Sequence, residues 1–473
     1  MKKMNFLKAV PKINVYDNDV DAFVPEIWAN ESLAILEENM VAASLIHRDF
    51  EDELAKFGDI VNTRRPGEYV AKRKTASDDV TVQDSTAVNV QVPLNQHIHV
   101  SFLIKDGEES KSMKDLVETY MKPAMLAQTR IIDRIVLGQY PRFLINSFGG
   151  LNTLTTNNAR DRILGLRNVL NVNKAYMDGR RLILTPSTET ALLGLDLFTS
   201  AEKVGDDGTA LEEASLGRKY GFGMYMSQNM AGVVSNPTTL PVTIGAVNNA
   251  GGYAKGTTTM TVDGLSAAVT AGQWFTVAGD DTPQQIVSSV GGATPTSLTF
   301  YPGLRSAVAN DAVITIYNKN TTGATAYANG WSKDILYNGS GATVPQIGQM
   351  VSFVVEAGVT AHVYSIVEVD TVAGTMLLDR PLESAVPAGS NINWGPAGQF
   401  NLGFHRNAMS LVVRPLAMPR AGTGALSSVV NLNGLSMRAT ITYNGLKQGH
   451  LVTLDMLCGI AILDQNLGSV LLA

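Results

Sequence analysis

Residues 112–139, SMKDLVETYMKPAMLAQTRIIDRIVLGQ, carry the spacing on which the fold turns. Met113, Val117, Tyr120, Ala124, Ala127, Ile131 and Ile135 recur at steps of three or four, which draws one apolar stripe along a helix. Ser112 with Asp115 supplies an N-terminal capping pair, and Gly138 with Pro141 supplies the stop. A helix of this length measures roughly 40 Å. Pro123 lies inside it and lacks an amide hydrogen, so a kink is expected there. The pattern predicts a long, bent helix crossing most of the molecule.

On its N-terminal side, residues 58–104 read as a two-limbed β-excursion. Val88, Val90, Val92, Leu94, Ile98, Val100, Phe102 and Ile104 share one parity, with Asn89, Gln91, Asn95, His97, His99 and Ser101 on the other. That is a strand with one buried face. His97 and His99 share the polar face as strand zinc ligands would, but no Cys, Asp or Glu stands near them in sequence. Between the limbs lie Arg64, Arg65, Lys72, Arg73 and Lys74, a basic tip with nothing to pack on, and an acidic cluster of Glu37, Glu38, Glu51, Asp52 and Glu53 precedes them. These ten residues are the candidate contacts between neighbouring chains. Residues 25–46 have helical spacing, and residues 1–20 read as an extended arm. There Asp17, Asp19 and Asp21 imitate a calcium loop, but Ala22 and Trp28 stand where Gly and Glu are needed.

On its C-terminal side, a helix near 158–172, a strand at 181–185 and a helix over 188–195 predict mixed α and β. Gly221 and Gly223 lack the third glycine and the preceding strand of a dinucleotide loop, so they read as structural. At residue 236 the composition changes: five basic residues (Lys255, Arg305, Lys319, Lys333, Arg380) stand against ten acidic ones up to residue 400, in short strands separated by turns. Within this all-β insert, residues 297–316 align without gaps on 375–394, pairing Leu304 with Leu382, Val308 with Val386 and Ile314 with Ile392. Two related β-units, a tandem duplication, account for the match, with chance similarity of short meanders as the alternative. After residue 401 the first composition returns. The clearest strand of the chain, 451–463, has Val452, Leu454, Met456, Cys458, Ile460 and Ile462 on one parity, which marks Cys458 as a packed thiol.

The composition narrows the function. At 473 residues, length suggests roughly three domains. Charged residues are 17% of the chain, below the usual quarter or so, and a net charge of −6 gives no electrostatic reason to grip nucleic acid. No run of about 18 apolar residues occurs, so no membrane span is expected. One cysteine excludes an intrachain disulfide framework and fits a reducing cytoplasm. No paired catalytic carboxylates, nucleophile elbow or metal-ligand set emerges, so neither an enzyme nor a cofactor is expected.

This order of parts resembles the major capsid proteins of tailed bacteriophages, the Hong Kong 97 fold, and in particular short-tailed-phage coat proteins with an insertion domain. The segments DGRRLILTPSTETALL (178–193), LGRKYGFGMYMSQNM (216–230), FNLGFHRNAMSLVVRPL (400–416) and GLSMRATITYN with the later LDMLCGIAIL carry the resemblance. It implies an α+β phage capsid fold: an N-terminal arm and helix over 1–57, an E-loop over 58–107, the spine helix with the first part of the peripheral and axial domains over 108–235, an inserted all-β domain over 236–400, and returning axial and peripheral strands over 401–473. It further implies self-assembly into hexamers and pentamers of an icosahedral shell around double-stranded DNA in the host cytoplasm, with a scaffolding protein in trans, a portal protein and decoration proteins as partners. The alternatives are an encapsulin-like nanocompartment shell and, from another class, a tail-spike or carbohydrate-binding β-protein.

Overall fold

The computed structural model describes residues 25–48, 59–65, 71–74, 79–80, 82, 88–107, 117–155, 157–195, 198, 214, 216–233, 243–317, 319–321, 325–337, 344–353, 361–420, 424–432 and 435–473. The expected arm, the calcium-like aspartates, Glu51, Asp52, Glu53 and the first turns of the long helix lie outside them.

The central element is a π-helical turn, Val117–Met121, running into an α-helix, Lys122–Leu137, so the irregularity sits immediately before Pro123. The α-helical part spans about 24 Å, and residues 112–116 of the expected helix lie outside the described residues. Its buried face differs from the expected stripe as well. Met121, Ala124, Met125, Gln128, Thr129, Ile132, Asp133, Ile135 and Val136 are buried, whereas Ala127 is exposed. Three polar residues enter the covered face because each finds a partner: Gln128 Nε2 donates to the Leu454 carbonyl (2.7 Å), Thr129 Oγ1 to the Met125 carbonyl (2.8 Å), and Asp133 accepts the backbone N–H groups of Val41, Ala42 and Ala43 at 3.1–3.2 Å.

Asp133 therefore caps the short helix Ala42–Leu45, which follows the break at Met40 after the helix Pro25–Asn39. Burial raises its carboxyl to about 6, with the three N–H bonds pulling the other way. Between about pH 4 and 6 the folded chain keeps a proton that the unfolded chain has released, so this group makes stability fall as pH rises through that window. The cost reaches about 3 kcal/mol by neutral pH. Asp133→Asn is expected to abolish that slope, read as the difference between urea midpoints of the unassembled chain at pH 4 and pH 7, and to lose one N–H acceptor at about 1–3 kcal/mol.

Two sheets flank the helix. In one, Gly449–Ile462 is the hub: it pairs with Leu435–Asn444, with Met409–Arg414 and, over ten residues from Gly449↔Lys105 to Cys458↔Gln96, with Gln96–Lys105. The edge beyond Leu435–Asn444 is Ala425–Leu432. The even-numbered residues Val452 to Ile460 face the main core as their parity requires, with Ile462 partly buried against it. Leu457 and Ala461, of the other parity, join a smaller core with Val92, Leu94 and Val412, so this end of the strand is covered on both sides. The excursion's return limb is thus two strands. Val88–Pro93 pairs antiparallel with Ile60–Arg65 as a two-stranded ribbon whose Val61, Val90 and Val92 lie against the small core, and the strand breaks at Leu94–Asn95 before joining the sheet. Gly459 sits under the crossing, where a Cβ would stand 2.2 Å from the Pro93 carbonyl oxygen.

The other sheet brings Gly398–His405 between Arg180–Leu184 and Gly468–Leu472, with Phe222–Met226 parallel to Arg180–Leu184. Against it lie the helices Ala159–Val172 and Pro186–Leu193, the latter capped by Thr185 Oγ1. Tyr220 and Gly221, at φ 50° and 85°, form the turn of the Arg218–Lys219/Phe222–Met226 hairpin, which is the structural role expected of that glycine.

The insert comprises two units of one plan. Residues 243–317 form a closed six-stranded barrel ordered Thr259–Asp263, Ser297–Tyr301, Asp280–Val290, Trp274–Val277, Val313–Ile316, Thr243–Val247. Residues 319–394 repeat that order as a sheet: Ile335–Leu336, Thr375–Leu378, Val363–Asp370, Met350–Phe353, Asn391–Trp394, Lys319–Thr321. The same hydrogen bonds recur at matching places. Gly272 N–H bonds the Ile286 carbonyl, as Gly348 N–H bonds Ile366; Thr270 N–H bonds Gln273 Oε1, as Gln346 N–H bonds Gln349 Oε1; Val308 bridges Tyr253, as Val386 bridges Tyr327. Gly272 and Gly348 share φ values of 84° and 83°.

Candidate functional site

Among the described residues no group of three or more His, Cys, Asp or Glu could hold a metal ion. His97 Nε2 does meet a carboxylate, Asp455 Oδ2 at 3.3 Å, delivered from the neighbouring strand; Arg438 already holds Asp455 through Nε (2.9 Å) and Nη2. Cys458 is buried and its thiol is pushed up to about 12 by desolvation, so it stays protonated and unreactive. What the structure builds instead are a projecting ribbon and a tightly fastened insert.

The ribbon is positioned by the ten-residue pairing of Gln96–Lys105 and by the small core around Val92 and Leu94. In it Arg64 stands opposite Asn89 and Arg65 opposite Val88. Beyond the paired strands, residues 71–74, 79, 80 and 82 are all exposed, including Lys72, Arg73 and Lys74 of the basic tip. Val80 and Val82 are 74% and 86% exposed. Glu37 and Glu38 occupy the last turn of the helix Pro25–Asn39. The side chains of Glu37, Glu38, Arg64 and Arg65, like Glu51, Asp52 and Glu53, lie outside the described residues.

The insert is fastened through its second unit, a feature without a local sequence signal because its partners are more than 200 residues apart. Tyr140 Oη donates to the Gly348 carbonyl (2.7 Å) and Gln139 Nε2 to Asp379 Oδ2 (2.9 Å). Gly138 ends the long helix where a Cβ would stand 2.9 Å from that of Asp379, so the absence of a side chain is what lets the unit sit against the helix. Asp379 is fully buried; it accepts Ser365 N–H (2.9 Å) and Arg380 Nη1 (2.8 Å). Arg380 in turn reaches Glu383 (2.5 Å), lies 4.4 Å over the Tyr364 ring, and shares Glu383 with Arg142 (2.6 Å) and His362 (2.7 Å). Burial opposes the charge on Arg380, but Asp379 and Glu383 more than offset it and raise its pKa. Burial likewise opposes the charge on Glu383, yet Arg380 and Arg142 hold its carboxyl below the usual range. Met350, Val367, Val363 and Leu377 of this unit pack into the body's own core, joined there by Trp274 and Tyr317 of the barrel, which also keeps a core of its own around Phe275, Ile286 and Phe300.

No protein-family model matches the sequence, and no curated protein matches it. The structural likenesses include phage capsids and a virus-like particle. A capsid structure of cyanophage P-SCSP1u is 9% identical, with 99% of this chain and 93% of that chain covered at a TM-score of 0.43. The mature capsid of bacteriophage PhiM1 is 7% identical, with 91% and 86% covered at 0.38. A virus-like particle from Pyrococcus furiosus is 10% identical, with 61% of this chain and 97% of that chain covered at 0.26. At such identities and scores the weight of a functional reading falls on the chain's own layout.

Proposed function

We propose that the protein is a structural shell subunit, the major capsid protein of a tailed phage, many copies of which close an icosahedral container around double-stranded DNA. One observation carries this reading. A two-stranded ribbon is anchored by one of the longest strand pairings in the chain, and its exposed end carries apolar and basic residues that a monomer has no use for. In this reading the ribbon is the E-loop, the element through Leu137 is the spine, the sheet around Gly449–Ile462 belongs to the peripheral domain and the sheet around Gly398–His405 to the axial domain. Each ribbon bridges to a neighbour, and many modest contacts per chain sum to a durable shell. Scaffolding, portal and decoration proteins are the expected partners, and virions assembled in the host cytoplasm the expected setting.

Electron microscopy of the chain, alone and co-expressed with its genomic neighbours, tests this. Closed shells of hexamers and pentamers that take up nucleic acid are expected; shells filled by an enzyme cargo instead would make it a nanocompartment, and only small oligomers under every condition would end the reading.

The shared hydrogen bonds support reading the insert as a tandem duplication, and the separate barrel core supports reading residues 236–400 as a domain. Expressed alone, that segment is expected to give dispersed β-type spectra, with the barrel melting cooperatively and the second unit weakened by loss of Tyr140 and Gln139. A disordered fragment would refute the domain boundary.

A further inference from the structure

The sheet around Gly398–His405 is apolar core at its centre and turns basic toward one edge. Its pairing sets two neighbouring rows of residues on the face that meets the main core. One row runs Phe404, Arg181, Gly223, Arg218, and the other Leu402, Ile183, Tyr225. Phe404, Leu402 and Ile183 are buried in that core, whereas Tyr225 is 41% exposed and Arg218 is exposed as well. The apolar part of the face therefore ends at the strand Arg180–Leu184, and beyond it Arg181 and Arg218 stand on either side of Gly223.

Gly223 leaves room there for an aromatic ring. Tyr225 lies two residues further along the same strand and its ring folds back over the glycine, where a Cβ would stand 3.2 Å from Tyr225 Cε2 and 3.5 Å from Tyr225 Oη. The ring is thus held between the two arginine positions of the row. Arg181 Nη1 donates to the Leu45 carbonyl, which fixes its guanidinium at the margin of the sheet. Exposed Arg406, directly after the strand Gly398–His405, joins the group. Burial lowers the Arg181 guanidinium from its ordinary value, opposed by Tyr225 and aided by Arg406, so the three groups lie within electrostatic reach of one another.

We propose that Tyr225, flanked by Arg181, Arg218 and Arg406, is a contact for a single strand of nucleic acid, with backbone phosphates on the arginines and an unpaired base on the tyrosine ring. Planar guanidinium groups match phosphate oxygens, and an exposed aromatic ring between them accepts any base by its face, the combination that sequence-tolerant strand binding requires. The net charge of −6 says nothing against it, because salt confines the field of a charge cluster to about 10 Å. The contact goes beyond the shell reading and does not depend on it.

The test is fluorescence anisotropy of the full, unassembled chain with labelled oligothymidylate, oligouridylate and a DNA duplex at low salt, with folding of each variant checked by its thermal melt. Both single strands, or one of them, are expected to bind and to be released by added salt; whichever binds tighter tells DNA from RNA. Tyr225→Ala is expected to weaken binding at least about fivefold and Tyr225→Phe to preserve it, as stacking on the ring requires. Arg218→Glu, at an exposed edge position, is expected to abolish binding without unfolding the chain. No binding, binding unmoved by Tyr225→Ala and Arg218→Glu, a duplex bound as tightly as the single strands, or equal competition by polyglutamate would each overturn the proposal. Electron microscopy scores shells separately, so failure of this contact leaves the shell reading standing, and failure of the shells leaves the anisotropy result to decide the contact.

Discussion

Replacing Arg64, Arg65 and Arg73 together by Glu is expected to abolish closed shells while leaving the unassembled chain folded. The ribbon pairs through its backbone, with Arg64 opposite Asn89 and Arg65 opposite Val88, and its hold on the body lies further along, in Val92, Leu94 and the Gln96–Lys105 pairing. Reversing charge at these three positions therefore spares the monomer. We hypothesise that the basic tip docks on a neighbour's acidic residues, Glu37, Glu38, Glu51, Asp52 and Glu53, and every interface then acquires like-charge contacts at once. A single exposed ion pair contributes about 0–1 kcal/mol, so each single substitution should change little, and wild-type shells should loosen as salt rises. Sedimentation and electron microscopy of the triple variant decide it: normal shells, with wild-type stability indifferent to salt, would mean that the bridge rests on backbone and apolar contacts such as Val80 and Val82.

The second large effect is expected at the junction of helix and insert. Asp379→Ala strips a fully buried carboxylate from Arg380, from Ser365 N–H and from Gln139 Nε2 together. Removing one partner of a buried pair costs about 3–5 kcal/mol, because the survivor remains desolvated. Arg142→Ala, at the half-exposed rim of the same cluster, should cost about 1 kcal/mol or less. Urea unfolding of the unassembled chain should rank the two in that order; equal effects would show that the junction is held by apolar packing instead.

Much of this architecture was legible where one physical signal dominates. The alternation from Val88 to Ile104 and from Val452 to Ile462 reports strands, the second covered on both sides toward its end by the small core at Leu457 and Ala461, and Pro186 after Thr185 reports a helix start. The likeness of residues 297–316 to 375–394 was legible because Leu304, Val308 and Ile314 sit in the barrel core and Leu382, Val386 and Ile392 in the core of the second sheet. The break at Leu94–Asn95 was hidden, since parity runs unbroken through it and only the partner strand changes. The covered face of the long helix was hidden for a different reason: it includes Gln128 and Asp133, which remote backbone groups bond, and Thr129, which bonds the carbonyl one turn back, and an apolar stripe registers none of these. The seat of the second unit was invisible for the same cause, since Gln139 and Asp379 have nothing in their own neighbourhoods to announce each other. Of the candidate contact residues, sequence could mark charge and isolation, which the exposure of Lys72, Arg73 and Lys74 matches, but not the partner, which a single chain does not contain.

The ten-residue pairing between Gln96–Lys105 and Gly449–Ile462 also sets a clock on biosynthesis. Translation adds about 5–20 residues per second, so the strand that anchors the ribbon waits tens of seconds for its partner to leave the ribosome. Until then the ribbon has no seat on the sheet, and a nascent chain cannot present it in the orientation a neighbour would need. Because residues 96–105 are laddered to residues 449–458, the shell reading proposed above expects a ribbon to be held ready for a neighbour only after the later strand has been made.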